Sequence, residues 1–304
     1  MADEQATSSW AERPERSNVL ILRVMVWLSL HLGRTLSRVV LYGIAVYFFL
    51  FAPTARRASR AYLTRALGRK PRLADGFKQI LAFASTIHDR VYLLNGRFDL
   101  FNIEITGADQ IRAVMDTGSG VLLIGAHLGS FEVMRALGRK YSRQPVTVLM
   151  YEENARKVNA ALAAINPAAM QDIIALGRMD SMLLAREKLA AGHLVGMLAD
   201  RCLGDDSSQA VEFLGTLASF PIGPFRVAAM LQRPVLFMAG LYLGGNRYRI
   251  HFEPLADFTA VPRDRRDAAI AAAQTAYVAR LEHFCRLAPY NWFNFFDFWR
   301  SAEP

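Results

Sequence analysis

The chain has 304 residues, of which 53% are hydrophobic and 21% charged, and it carries a net charge of +9. That length holds one large α/β unit with an ample core and an N-terminal attachment, and the apolar content excludes bulk disorder. The spacing of the two cysteines, Cys202 and Cys285, suggests neither a disulfide framework nor a metal site, Cys/His metal-ligand spacing is missing, and a reducing cytoplasm fits. Residues 1–18, mostly Ser, Glu, Arg and Pro apart from Trp10, read as a flexible leader.

Next comes an apolar stretch, Val19 to Ala52, 34 residues or about 51 Å if wholly helical. Arg23, Arg34 and Arg38 interrupt it, leaving an uncharged piece of 14 residues, Val39–Ala52. On a helical wheel Arg23, Arg34, Arg38 and His31 fall within a sector of about 80°. Such a narrow polar stripe favours a helix lying in the membrane interface or packed on the rest of the chain; a spanning helix is the other reading. Acidic residues before the stretch, and no small-residue cleavage site after it, argue against a cleaved signal peptide.

Charge is concentrated beside that stretch. Residues 1–102 hold 15 Lys/Arg against 7 Asp/Glu, a net +8, and the remaining 202 residues hold 21 against 20, a net +1. Between Thr54 and Arg72 stand seven basic residues and no acidic one. A solvated helix face is the plain reading of such a run. No nucleic-acid module accompanies it and the rest of the chain is near neutral, so nucleic acid is not expected as a partner. Attraction to anionic lipid headgroups, about 1 kcal/mol per Lys or Arg near a membrane surface, accounts better for its position. Residues 19–95 therefore read as a membrane-associated basic helical region, and positive-inside logic puts the remainder of the chain on the cytoplasmic face.

After helices near 19–52, 55–68 and 74–95 the pattern alternates. Strands are expected at 101–106, 120–126, 145–151, 171–175, 193–199, 234–242 and 247–253. Helices are expected near 108–116, 130–142, 154–165, 179–191, 221–232 and 263–287. This predicts an α/β fold, a mixed, mostly parallel sheet flanked by helices, with a hairpin-like pair around Gly244-Gly245-Asn246. Ligands of such sheets bind at the carboxyl ends of strands. His127 and Asp200 each directly follow an apolar strand, which points to one shared site.

His127-Leu128-Gly129-Ser130-Phe131-Glu132 sits at a strand-to-helix corner, with Ser130 available as N-cap and Gly129 giving the backbone freedom to turn. If His127 lies in the turn, Glu132 in the first helical turn can fold back towards it. An imidazole held by a carboxylate is a general base for a hydroxyl, as acyl transfer to an alcohol requires. Amides at the start of the helix, after Gly129 and at Ser130, would meet the tetrahedral oxyanion. By spacing alone, a polar strand end and a solvated helix residue remain the alternative. No G-x-S-x-G, HExxH or P-loop occurs.

Gly120 to Glu132, Gly-Val-Leu-Leu-Ile-Gly-Ala-His-Leu-Gly-Ser-Phe-Glu, resembles the HX4(D/E) block of the lysophospholipid acyltransferase superfamily, in particular its late acyltransferases of lipid A biosynthesis. Gly196–Arg201 resembles that family's second strand-plus-Asp element, Val211–Thr216 with Pro221–Pro224 its Phe-Phe-Gly loop, and Pro289–Phe293 its aromatic terminus, so the likeness spans roughly residues 20–300. Leu214 replaces the loop's second Phe, Arg201 follows Asp200, and the Phe-Pro-Glu-Gly-Thr signature of glycerol-3-phosphate and lysophosphatidate acyltransferases is absent.

The resemblance implies an O-acyltransferase of the bacterial inner membrane, with residues 96–304 as its catalytic domain. It would move a fatty acyl chain from an acyl carrier protein or CoA thioester to a hydroxyl of a lipid or glycolipid, with no cofactor beyond that co-substrate. His127 and Glu132 would be catalytic. Asp200, Arg201, Arg156, Gly129 and Ser130 would contact substrate, although a surface salt bridge also explains Arg201 and helix-start charge alternation also explains Arg156. His193, at the opposite strand end, reads as structural, and Glu212 as a residue that could face the acceptor. Tyr290–Trp299, with seven aromatics in ten residues, reads as a core cover, an interfacial belt or the wall of an acyl groove. A catalytically inactive lipid-binding protein and a lipid hydrolase are the competing functions.

Overall fold

The computed structural model describes residues 19–116, 118, 120–133, 146–152, 160, 162–163, 165–166, 173–177, 180–202 and 207–300, with side chains from residue 26 onward. The leader, residue 156 and the side chain of Arg23 lie outside these described residues.

Three helices open the chain: α1 (Val19–Phe51), α2 (Pro53–Leu67) and α3 (Leu73–Leu94). Gly33, at φ 75° and ψ 167°, kinks α1. Pro53 stands at the start of α2, where its missing N–H costs nothing, and Gly68 ends α2 in the left-handed conformation. Of the expected polar stripe of α1, Arg34 and Arg38 face the protein, whereas His31 is exposed. Arg34 grips Asp89 of α3 with both arms, at 2.8 and 2.9 Å, and also donates to the Gly245 carbonyl. Arg38 reaches Tyr242 Oη at 3.1 Å and Gly245 O at 3.2 Å. Tyr248 Oη completes the Asp89 carboxylate at 2.8 Å, and Tyr92 Oη donates to Ser29 O at 2.7 Å. Leu36, Val39, Tyr47, Leu50 and Phe51 are exposed beyond the kink, as is Trp27 before it. Among the described residues one helical segment, Val26–Phe51, is long and apolar enough to cross a membrane.

Asp89 is fully buried and Arg34 nearly so. Removing one partner of such a pair leaves an uncompensated charge, at about 3–5 kcal/mol. Asp89→Ala is therefore expected to loosen α1 and lower the melting temperature, while Arg249→Gln, at an exposed surface pair with Glu104, leaves it within experimental error.

The remaining elements are β1 (Asn102–Thr106), α4 (Ala108–Met115), β2 (Val121–Gly125), β3 (Val146–Tyr151), β4 (Ile173–Leu176), α5 (Ser181–Ala190), β5 (Leu194–Leu198), β6 (Ser208–Phe213), β7 (Thr216–Pro221), α6 (Gly223–Leu231), β8 (Pro234–Tyr242), β9 (Arg247–Asp257) and α7 (Arg266–Leu287). A further helix starts at Phe131. Seven strands form one sheet in the order β1-β9-β8-β2-β5-β3-β4. The pairings are parallel except β8–β9, the hairpin-like pair expected around Gly244-Gly245-Asn246. β2 and β5 at the centre are buried along nearly their whole length, as a sheet covered on both faces requires.

β6 and β7 make a separate antiparallel hairpin in a stretch for which the sequence pattern predicts no strand. Its two-residue turn, Leu214-Gly215, has φ of 53° and 80°, the positive pair a tight hairpin needs. Leu in that first position is not a usual turn residue. Burial of its side chain and a hydrogen bond from the Leu214 backbone N–H to Glu282 Oε2 at 2.7 Å hold it there. The aromatic C-terminal segment packs on Phe213: Trp292 is fully buried, and the Phe298 and Trp299 rings each lie 5.9 Å from the Phe213 ring. Of the three readings of this segment, the core cover describes these residues.

Candidate active site

Strand register builds the site. Gly125 of β2 stands opposite Leu198 of β5, so His127 and Asp200, each two residues further on, emerge level with one another. Tyr277 Oη ties the Gly125 carbonyl from α7 at 2.9 Å, and Ala199 N donates to the same oxygen at 3.0 Å. The imidazole and carboxylate meet: His127 Nδ1 lies 2.8 Å from Asp200 Oδ1. The carboxylate that meets Nδ1 is thus Asp200 and not Glu132, the partner expected from the sequence. Glu132 is buried with its carboxylate 3.7 Å from the Arg90 guanidinium of α3. Once the helix begins at Phe131, its first turn carries Glu132 towards α3.

Asp200 is fully buried and well satisfied. Oδ2 accepts the His127 backbone N–H at 3.1 Å, Trp292 Nε1–H at 3.0 Å and Asn294 Nδ2–H at 3.0 Å. Oδ1 therefore takes the Nδ1 proton, and the Nε2 lone pair is left as the basic site. Nε2 has no hydrogen-bond partner among the described residues, and the His127 side chain is 32% exposed. Burial alone would push the Asp200 carboxyl up; the charge and hydrogen bonds of His127, with Arg201 behind them, hold it down at about 2. Loss of solvent and the Arg201 cation lower the pKa of the His127 imidazole from 6.5, against the opposing pull of Asp200. Both lowering effects favour the neutral ring, the form that can accept a proton.

The C-terminal segment locks the corner. Phe293 N donates to His127 O at 2.8 Å, Gly129 N to Asn291 O at 2.8 Å, and Ser130 N to Gly240 O at 2.7 Å. These bonds correct the expectation for Gly129 and Ser130: both amides are occupied by carbonyls and cannot also receive an oxyanion. Ser130 does cap the helix, accepting the Val133 N–H at 3.4 Å. Arg201 is anchored by Asn294 Oδ1 at 2.7 Å and Phe293 O at 3.2 Å. It is therefore a fixed cation beside the imidazole rather than a loose surface charge. Glu212 is exposed on β6 opposite Leu217, and His193 sits at the far end of β5 with Nδ1 3.4 Å from Thr147 Oγ1. Among the described residues no group of three His, Cys, Asp or Glu could hold a metal ion.

Gly129 has φ +69°, and a Cβ there would lie 2.0 Å from the Gly240 carbonyl oxygen. The left-handed backbone alone costs an L side chain about 1–2 kcal/mol, before any clash. Gly129→Ala is expected to lower the melting temperature and displace His127; unchanged thermal unfolding would show that this close approach does not exist in solution.

Sequence reasoning does not single out Trp292, Asn294 and Asn291 individually. Their one signal is the placing of polar residues among the aromatics of Asn291-Trp292-Phe293-Asn294. A neutral imidazole, backed by a buried carboxylate and open at Nε2, can deprotonate a hydroxyl or a water. The family model for bacterial lipid A biosynthesis acyltransferases matches residues 13–301. Comparison with curated proteins gives no match. The family match takes in the helices, the sheet and the segment that seals Asp200, and on it the chain belongs to the bacterial lipid A biosynthesis acyltransferase family.

Proposed function

We propose that this protein is a membrane-bound O-acyltransferase in which His127 is the general base. Nε2 removes the proton from a lipid or glycolipid hydroxyl as that oxygen attacks the carbonyl of an acyl thioester on acyl carrier protein or CoA. Asp200 holds the Nδ1–H tautomer and stabilises the imidazolium, which then protonates the departing thiolate. Arg201, a fixed cation near the imidazole, stabilises the oxyanion in place of the Gly129 and Ser130 amides. Glu132, through Arg90, keeps the first helical turn and hence the corner in place. The exposed apolar face of α1 and the adjoining basic helix lie at the inner membrane, with the site on the cytoplasmic side.

The observation that carries this reading is the 2.8 Å contact of His127 Nδ1 with buried Asp200, which leaves Nε2 without a hydrogen-bond partner among the described residues. Incubating the purified protein in bilayers with a labelled acyl thioester and hydroxyl-bearing lipids is expected to yield an esterified lipid. Free fatty acid alone would mean a hydrolase, and untouched thioester a lipid-binding protein.

A further inference from the structure

The basic run after α1 does more than coat a surface. It lines a cavity of about 660 Å³ between the end of α1, α2 and the start of α3. Its wall is mostly apolar, with Phe49, Leu63 and Ile80 among the lining residues, and five cations also line it: Arg56, Arg57, Arg60, Lys70 and Arg72. No Asp or Glu lines it among the described residues. Arg56 is committed to the end of α1, donating to Phe49 O at 2.8 Å and Leu50 O at 3.1 Å. The other four have no carboxylate partner among the described residues. The acid closest in sequence, Asp75, is already taken by Arg69 at 2.9 Å, the Arg72 amide at 2.7 Å and Tyr290 Oη at 2.7 Å.

Four such cations around one concavity repel each other, and an anion between them relieves that cost. Guanidinium forks match phosphate oxygens in geometry and charge. The cavity is far larger than a lone phosphate and its wall is mostly apolar; Phe49 of α1 lines it, and Tyr47, Leu50 and Phe51 of the same helical segment are exposed. Such a combination fits an amphiphile, with its anionic end among the arginines and its hydrocarbon along α1. The cavity also backs onto the site. Ser59 on its wall donates to Gln79 Oε1 at 2.5 Å, Gln79 Nε2 to Trp292 O at 2.6 Å, and Trp292 Nε1 to Asp200 Oδ2 at 3.0 Å.

We propose that this cavity binds the phosphate group of a lipid, a phosphomonoester or phosphodiester, with the acyl chains lying against the exposed face of α1. Binding of this kind does not require acyl transfer, so protein carrying His127→Ala should bind as well as wild type.

The test is calorimetric titration of the purified full chain, in neutral detergent, with dioctanoyl phosphatidic acid, dioctanoylglycerol and inorganic phosphate. Phosphatidic acid is expected to bind saturably, and dioctanoylglycerol at least about tenfold more weakly. Arg57→Gln/Arg60→Gln should lose about tenfold or more in phosphatidic acid affinity. Arg72→Gln, a single change, should lose affinity in the same direction and guards against a folding defect in the double variant. Arg249→Gln should match wild type. Equal affinity for both lipids, or wild-type affinity in the folded double variant, would overturn the proposal. Inorganic phosphate binding as tightly as the lipid would overturn the lipid assignment. Two supporting outcomes separate the source: phosphatidic acid that competes with the hydroxyl acceptor mimics the acceptor's own phosphate, and phosphatidic acid that raises activity or bilayer binding mimics a resident phospholipid.

Discussion

His127→Ala is expected to lower turnover about 10²–10⁴-fold, the usual worth of a positioned general base, with the fold intact. The fold should survive because the substitution removes a partly exposed side chain and only one of four donors to Asp200. The backbone N–H of residue 127, Trp292 Nε1–H and Asn294 Nδ2–H still satisfy the buried carboxylate. The corner itself is held by main-chain bonds from Phe293 and Gly129 that no side chain at 127 provides. Acyl transfer by the purified variant, measured beside its melting temperature, checks this: an intact fold with wild-type transfer would remove His127 from the mechanism.

Asp200→Asn is expected to cost on the order of 10³–10⁴ in kcat by reversing the tautomer. Three N–H donors converge on the Oδ2 position, so the amide oxygen of Asn must sit there. Its NH2 then points at His127 Nδ1, forcing Nδ1 to accept and leaving the ring proton on Nε2, where the base is needed. The pH dependence gives a second readout. A base works when neutral, so kcat/KM rises with pH through the His127 pKa, which lies below 6.5 in the wild type. Asp200 raises that pKa and Arg201 lowers it. The acid limb should therefore move to lower pH in Asp200→Asn and to higher pH in Arg201→Gln. Glu132→Gln should leave the limb where it is, because Glu132 faces Arg90 and not the imidazole. A shift in Glu132→Gln with none in Asp200→Asn would restore Glu132 as the partner.

Strands are legible in the sequence because a covered sheet demands short unbroken apolar runs; 234–242 is observed as expected, and β2 and β5 lie within a residue of their expected bounds. That legibility extends to His127 and Asp200 as neighbours, since both come directly after central strands. Which carboxylate meets the imidazole is not legible. It depends on the Gly125–Leu198 register and on the direction of the first helical turn, neither of which leaves a mark in local spacing. The same limit explains the amides of Gly129 and Ser130. Their partners, Asn291 and Gly240, come from segments more than a hundred residues away. The β6–β7 hairpin is hidden because Leu214 takes a positive φ that its burial and its distant partner Glu282 make tolerable. Arg34 and Arg38 of α1 carry a usable signal: their shared side of the helix anticipates a packed face, and Asp89, Tyr242 and Gly245 receive it.

Ring-nitrogen chemical shifts of His127, tracked through a pH titration of the wild type and of Asp200→Asn, decide whether this imidazole is a base poised by Asp200. The expected wild-type ring is neutral at pH 7 and protonated on Nδ1, with a midpoint below 6.5 that falls further in Asp200→Asn as the proton moves to Nε2. A wild-type ring charged at pH 7, or protonated on Nε2, or unaffected by the substitution at Asp200, would contradict that assignment.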